Sequence, residues 1–190
     1  MRETMNDIEE NHSGKAAEGR KDHNVVPMLH FKRLGRELAM QYLFQCDVAG
    51  MENFDQSLEN FWKQAECSGE FPTNRVFRKA RCYAEKIIAG VFEHETEIDK
   101  IICDFSDRWD IERMPVVDRN IIRVAIYELY YCPDIPALVS IDEAIEIAKD
   151  FSSGKSGIFI NGILNGIKDS LPPGIKAPGT VKKTESKEGH

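Results

Sequence analysis

Long apolar runs are missing from this sequence, and no stretch approaches the roughly 18–20 residues that a helix needs to span a bilayer. The first residues also lack a basic segment followed by an apolar one, which a secretory signal would have. Cysteine pairing motifs are absent too, because the five cysteines are odd in number and never form a CxxC pair. These absences argue against a membrane protein and a disulfide framework, and they predict a cytoplasmic protein with reduced thiols.

Complete catalytic motifs are also lacking. Residues 153–156 resemble the end of a phosphate-binding loop, but Lys149 stands where its first glycine should be, and the preceding segment is predicted to be helical. His94 begins a zinc-protease-like string, yet Ile98 replaces the second histidine. No Gly-x-Ser-x-Gly elbow is present. We therefore expect no enzyme, no cofactor and no metal site.

Acidic charge is in excess overall, with a net charge of −7, but it is unevenly distributed. Residues 73–90 hold five cations against one acid, a local charge of +4, whereas residues 91–118 hold nine acids against three cations, a local charge of −6. Such a chain can offer one face to RNA and another to a basic partner. On charge alone, ordinary solvated helix faces explain the pattern equally well.

The two ends of the chain differ in composition from its middle. Residues 1–28 carry almost no apolar periodicity, and residues 172–190 are rich in proline, glycine and charge. Neither end can bury enough apolar surface to offset the entropy lost on ordering it. We therefore predict a flexible N-terminal tail (1–28), a folded helical body (29–171) and a flexible C-terminal tail (172–190).

Helical periodicity runs through the body, and strand-like alternation is nearly absent. Apolar residues recur at helical spacing in residues 29–48, 52–66 and 73–104, with a break expected at Gly90 or in residues 94–97.

Three signals mark the later helices. Pro115 is expected to open one, because the first turn tolerates proline. Ser140 and Glu143 have the spacing of a capping box, which predicts a helix that starts at Ser140. A Ser-Ser-Gly loop then leads to a last helix that contains Ile160 and Ile167. The pattern predicts an all-α fold, a bundle of about seven helices in two packed sub-bundles.

Three basic residues, Lys32, Arg33 and Arg36, cluster near the start of the first predicted helix. Proteins hold single-stranded RNA with such charges and an aromatic ring on which a base stacks. Phe159 is a candidate ring, since it follows a glycine-containing loop and its neighbour Ile160 better fits the buried face. By pattern alone, Phe159 is equally well explained as a core residue.

Several segments closely resemble the NusB family. They read, in chain order, RELAMQYLFQ (36–45), ERMPVVDRNIIRVAIYEL (112–129), PDIP (133–136), IDEAIEIAKDF (141–151) and FINGIL (159–164). The later segments are specific in combination, whereas residues 50–110 match only in their helical pattern. The resemblance covers the predicted body and neither tail.

The resemblance implies an all-helical NusB-like fold without catalysis. It implies binding to boxA-type single-stranded RNA of ribosomal RNA transcripts, together with a small-subunit ribosomal protein called NusE in this role. The family's complex helps RNA polymerase to read through terminators. Its basic residues correspond to Lys32, Arg33 and Arg36, and its aromatic RNA contact corresponds to Phe159, beside Ser156.

Other positions follow from the same resemblance. An acidic residue that faces the ribosomal protein corresponds to Asp118. Lys155 stands where the family often has an acid, and its charge is expected to strengthen phosphate contact. Leu34 and Gly35 interrupt the family's longer arginine run. If about four phosphates are contacted, log K is expected to fall with log salt at a slope near −3, from roughly −0.7 per contact.

Two other functions compete with antitermination. The chain could be the RNA-binding part of a ribosomal RNA cytosine methyltransferase, but we expect no methyl-donor domain in the roughly 20 residues that follow the last predicted helix. It could also be a protein-interaction bundle that binds no RNA. The sequence leaves a homodimer open, since some family members dimerise and others do not.

Overall fold

The computed structural model describes residues 26–51, 53–69, 75–106 and 110–171. The two predicted tails lie outside these ranges, except for residues 26–28, which begin the first helix. No described helix has the length and apolar character needed to cross a membrane. Within the same ranges, no group of three or more histidine, cysteine or acidic side chains is placed to hold a metal ion.

Seven α-helices and one short 3-10 turn (Ile111–Arg113) make up the described part of the chain, which contains no β-strand. The helices are α1 (Val26–Ala49), α2 (Phe54–Cys67), α3 (Arg75–Glu93), α4 (Glu95–Phe105), α5 (Val116–Tyr131), α6 (Ala137–Phe151) and α7 (Ser156–Asp169).

The predicted break in the long third segment is confirmed at His94, between α3 and α4. Gly90 does not form the break, because it lies inside α3, where an added Cβ would come 2.0 Å from the ring of Tyr127. The glycine therefore allows α3 to approach α5 closely.

The predicted start of a helix at Ser140 is wrong. Helix α6 begins three residues earlier, after Pro136, whose φ of −59° suits a helix entry. Ser140 is instead buried inside the helix, and its hydroxyl donates a 2.6 Å hydrogen bond to Glu128. A capping box read from spacing alone could not reveal this buried acceptor.

Helix α5 is the centre of the fold and packs against α1, α3, α4, α6 and α7. Eleven of its 16 residues are buried, so core surrounds it on nearly every side. Aromatic contacts join α2 to α1 and α3: the Tyr42 and Phe61 rings lie 5.3 Å apart, and the Trp62 and Phe77 rings 6.5 Å apart. Helices α1–α3 and α4–α7 thus form the two packed groups that the sequence predicts.

Candidate nucleic-acid interface

Two of the three predicted basic residues lie at the surface of α1. Lys32 Nζ is 3.4 Å from Asp134 Oδ2 and 5.4 Å from the centre of the Tyr83 ring. The Arg33 guanidinium pairs with Glu37 and, at 2.8 Å, with Asp150 near the end of α6. Both side chains are partly exposed but partly neutralised by these acids, so the α1 surface is less positive than its sequence implies.

Arg36 does not reach the surface. Its side chain is 3% exposed, and its Nε donates a 2.8 Å hydrogen bond to Glu128, which is also buried. Burial lowers the pKa of Arg36, but the carboxylates of Glu128 and Glu143 raise it overall, so the guanidinium stays charged. This geometry does not support the predicted direct phosphate contact of Arg36, because the group is committed to an internal ion pair.

Gly35 accounts for the interruption in the basic run of α1. A Cβ at this position would come 2.8 Å from the Tyr83 ring and 3.0 Å from the Ala80 carbonyl oxygen of α3. The glycine therefore lets α1 and α3 pack closely. A longer arginine run would conflict with that packing.

The other predicted RNA-binding residues line one cleft between α5 and the α6–α7 loop. The cleft has a volume of about 240 Å³ and is lined by Pro115, Asp118, Ser153, Lys155, Ser156 and Phe159. Lys155 is exposed at the start of α7, and Phe159 is half-buried one turn later. A cation and an aromatic ring thus share one opening, as stacking of a nucleotide base requires.

Asp118 and Ser156 form the inner wall of this cleft. Asp118 is 2% exposed and accepts a hydrogen bond from the Ser152 hydroxyl, whose oxygen lies 2.9 Å from that of Ser156. Ser153 adds a second 2.9 Å contact to Ser156. The carboxylate of Asp118 therefore holds the loop, and at 2% exposure it offers little surface to a protein partner.

The end of helix α6 brings the α1 surface and the cleft together. Arg33 Nη2 lies 2.8 Å from Asp150 Oδ2 on the last turn of α6, and Ser152 of the cleft network follows two residues later. We group Lys32, Arg33, Asp150, Lys155 and Phe159 under the name α1–α7 strip, because the end of α6 links the α1 cations to the cleft. Only Arg36, among the predicted cations, is not part of it.

Glu128, which anchors Arg36, is a functional residue that the sequence pattern did not indicate. This carboxylate also accepts hydrogen bonds from Tyr83 and Ser140, so it ties α1, α3 and α6 to α5. Its position between apolar residues of α5 could have indicated a paired, buried charge, since a buried carboxylate needs a partner. The cations of residues 73–90, in contrast, stood out in the sequence, and four of them line a groove beside α3.

A family model described as "NusB family" matches residues 33–169 of the chain. The transcription antitermination protein NusB of Myxococcus xanthus is 39% identical over 140 residues, which are 74% of this chain and 96% of that protein.

Two solved structures are similar in fold. T. maritima NusB superposes with a TM-score of 0.62 at 34% identity, covering 75% of this chain and 93% of that one. A crystal structure of the antitermination factors NusB and NusE in complex with double-stranded RNA contains a chain with a TM-score of 0.61 at 23% identity, covering 75% of this chain and 98% of that one. At that identity, the second likeness concerns the fold alone.

Proposed function

This chain belongs to the NusB family, and from that premise we propose that it is a cytoplasmic, non-enzymatic transcription antitermination factor. It binds boxA-type single-stranded RNA of ribosomal RNA transcripts together with a small-subunit ribosomal protein in the NusE role. In that assembly it keeps RNA polymerase processive through terminators.

The observation that carries this proposal is the α1–α7 strip. Arg33 and Phe159 are more than 120 residues apart in the sequence, and the contact of Arg33 with Asp150 at the end of α6 supports placing both beside one RNA strand. Charge that tracks a backbone beside a ring that stacks on a base is the usual means of holding single-stranded nucleic acid. The strip is the part of the fold at which one RNA strand can meet both.

The residues of the strip have distinct roles in this proposal. Lys32, Arg33 and Lys155 contact phosphates, Phe159 stacks on a base, and Ser156 shapes the cleft beneath it. Arg36 acts indirectly, because its ion pair with Glu128 fixes the part of α1 that carries Lys32 and Arg33.

Asp118 also acts indirectly, because it holds the α6–α7 loop through Ser152. With the NusE-type protein bound on this side of the molecule, the loop would link the two partners.

A binding titration tests the proposal directly. Labelled boxA RNA is titrated with the protein, alone and with the ribosomal protein, at several salt concentrations. Three phosphate contacts predict a slope of log K against log salt near −2, from roughly −0.7 per contact. A slope near zero contradicts the role of the cations.

Phe159→Ala should weaken boxA binding by roughly 1–3 kcal/mol, because a base loses its stacking partner. Phe44→Ala is the matched control: Phe44 is 36% exposed in the second half of α1 and contributes no atoms to the strip. Equal affinity for the two variants would argue against stacking at Phe159.

The two competing functions have separate outcomes in the same assay. A protein-interaction bundle would bind the ribosomal protein and leave boxA RNA free under every condition. A methyltransferase role would require a methyl-donor domain, whereas the M. xanthus relative, matched over 96% of its length, is a transcription antitermination protein.

A further inference from the structure

A basic groove lies between α1 and α3, separate from the α6–α7 cleft. Its volume is about 640 Å³, and it is lined by Phe31, Arg75, Arg78, Lys79, Cys82, Tyr83 and Lys86. Four of these seven residues are cations and none is an acid. The groove thus concentrates positive charge on a chain whose net charge is −7.

Lys79 lies over the Phe31 ring and Lys86 contacts the Cys132 thiol, but neither contact neutralises a charge. Arg75, Arg78, Lys79 and Lys86 are exposed, and none forms an ion pair with any residue that the structure describes. Arg81 of the same helix differs, because it pairs with Glu66 and Glu85 on another face.

Their spacing places the four cations on one face of α3. Arg78, Lys79 and Lys86 lie three, four and eleven residues after Arg75, and the row is about 16 Å long at 1.5 Å per residue. Clustered like charges repel one another, so the groove is suited to an extended polyanion that neutralises several of them together.

Aromatic rings lie among these charges. Phe31 and Tyr83 pack edge to face with their ring centres 6.3 Å apart, and both are half-buried. Lys79 Nζ is 5.5 Å from the Phe31 ring centre, and Lys32 Nζ is 5.4 Å from the Tyr83 ring centre. A base that stacks on either ring displaces the lysine amine above it, and the displaced amine is then available to pair with a phosphate.

We propose that this groove binds a second segment of single-stranded RNA, the one that flanks the segment held in the α6–α7 cleft. The proposal rests on the proposed function, because it extends the path of the same RNA. Lys32 provides the continuity: its amine lies over Tyr83 in the groove, while its neighbour Arg33 faces Asp150 of the strip. A strand that leaves the cleft over Arg33 therefore enters the groove at Lys32.

RNA explains the groove better than an acidic protein partner does. An acidic peptide would use the cations but not the paired rings between them. RNA uses both, and the groove is continuous with a surface that already combines charge with a ring. If an acidic protein bound this groove and RNA did not, the proposal would be overturned.

The experiment uses the full chain and two labelled RNAs, one limited to the boxA element and one with about ten further nucleotides on either side. Arg75→Ala/Arg78→Ala removes two exposed cations that line the groove. Lys63→Ala/Lys100→Ala removes two exposed cations of α2 and α4, so it matches the change in net charge. Fluorescence anisotropy gives the Kd and its salt dependence for each protein with each of the two RNAs.

The wild-type chain should bind the longer RNA more tightly and with a steeper salt slope. For the longer RNA, the salt slope of the groove variant should be smaller than that of the wild type by up to about 1.4, which is two contacts at roughly 0.7 each. The groove variant should bind the short RNA as the wild type does. The control variant should behave like the wild type with both RNAs.

Two results would overturn the inference: equal binding of the two RNAs by the wild type, or equal weakening of both by the groove variant. A groove-dependent gain on the longer RNA supports the inference even if Phe159→Ala leaves short-RNA binding unchanged. In that case the stacking role of Phe159 fails while the groove stands, so the two proposals are tested separately.

Discussion

At the scale of single residues, glycine decides how closely the helices of this fold approach. A Cβ on Gly90 would come within 2.0–2.5 Å of three atoms of the Tyr127 ring. That ring is itself buried and stacked on Tyr131, with centres 5.5 Å apart, so it has little room to move. The contact between α3 and α5 therefore depends on the missing side chain.

Gly90→Ala should destabilise the protein by roughly 1–3 kcal/mol, the usual cost of overpacking a core. Gly162→Ala is the matched control, because a Cβ there meets no atom within 4 Å and alanine favours the helix by roughly 0.5–1 kcal/mol. Urea denaturation should move the two midpoints in opposite directions. If both variants were stabilised, α3 and α5 would not be in such close contact.

The sequence predicts which residues are charged but not which charges are buried. Arg33 and Arg36 are three positions apart on α1, yet one faces solvent and the other lies against Glu128. Their positions depend on where α5 places the buried carboxylate of Glu128, which is a property of the assembled bundle. The predicted direct contact of Arg36 failed for this reason, while Phe159 and Ser156 do share one cleft, as expected of residues three apart on a helix.

At the scale of helices, the local pattern predicts the existence of a helix better than its ends. The apolar periodicity located each long helical segment, and the break near His94 was expected. The beginning of α6 was misplaced, because Ser140 and Glu143 have the spacing of a cap while Pro136 sets the entry. Glu128 of α5 decides between these two local signals, because its carboxylate accepts the hydrogen bond of the Ser140 hydroxyl.

The variant Ser140→Asp tests whether α6 starts at Ser140 or after Pro136. At a cap, aspartate would replace serine with little loss. In this structure it places a second carboxylate against buried Glu128, so we expect a loss of roughly 3 kcal/mol or more in the free energy of unfolding.

Asn53→Asp is the matched control for that variant. Asn53 is the observed cap of α2, and its side chain accepts a 3.0 Å hydrogen bond from the Gln56 amide. Aspartate there should change stability by less than about 0.5 kcal/mol in denaturation experiments. Similar stability of the two variants would indicate that Ser140 is the N-cap of α6.

At the scale of the whole molecule, one ionic cluster joins the two packed groups of helices. Asp47 near the end of α1 accepts hydrogen bonds from Arg119 and Asn120 of α5, at 2.8 and 2.9 Å. Arg123 bridges this carboxylate at 3.2 Å to Asp99 of α4 at 2.7 Å. The cluster thus ties α1–α3 to α4–α7 at the end opposite to Arg36 and Glu128.

This cluster should make the assembly sensitive to acid. Burial raises the pKa of Asp47, but the hydrogen bonds from Arg119 and Asn120 and the charge of Arg123 lower it below its usual value. The unfolded chain therefore takes up this proton first, at a pH near 4. The stabilisation is complete above that pH and is lost as the pH falls through the lower pKa of the folded state.

Asp47→Asn should therefore lower the free energy of unfolding at neutral pH by roughly 1–3 kcal/mol, because the hydrogen bonds lose their charged acceptor. It should also flatten the decline of stability below about pH 4, since the titrating group is gone. Asp104→Asn removes an exposed carboxylate of α4 and is the control for net charge. Urea denaturation of the three proteins over a range of pH measures both effects. Parallel pH profiles for the wild type and Asp47→Asn would contradict the role of Asp47 in the acid sensitivity.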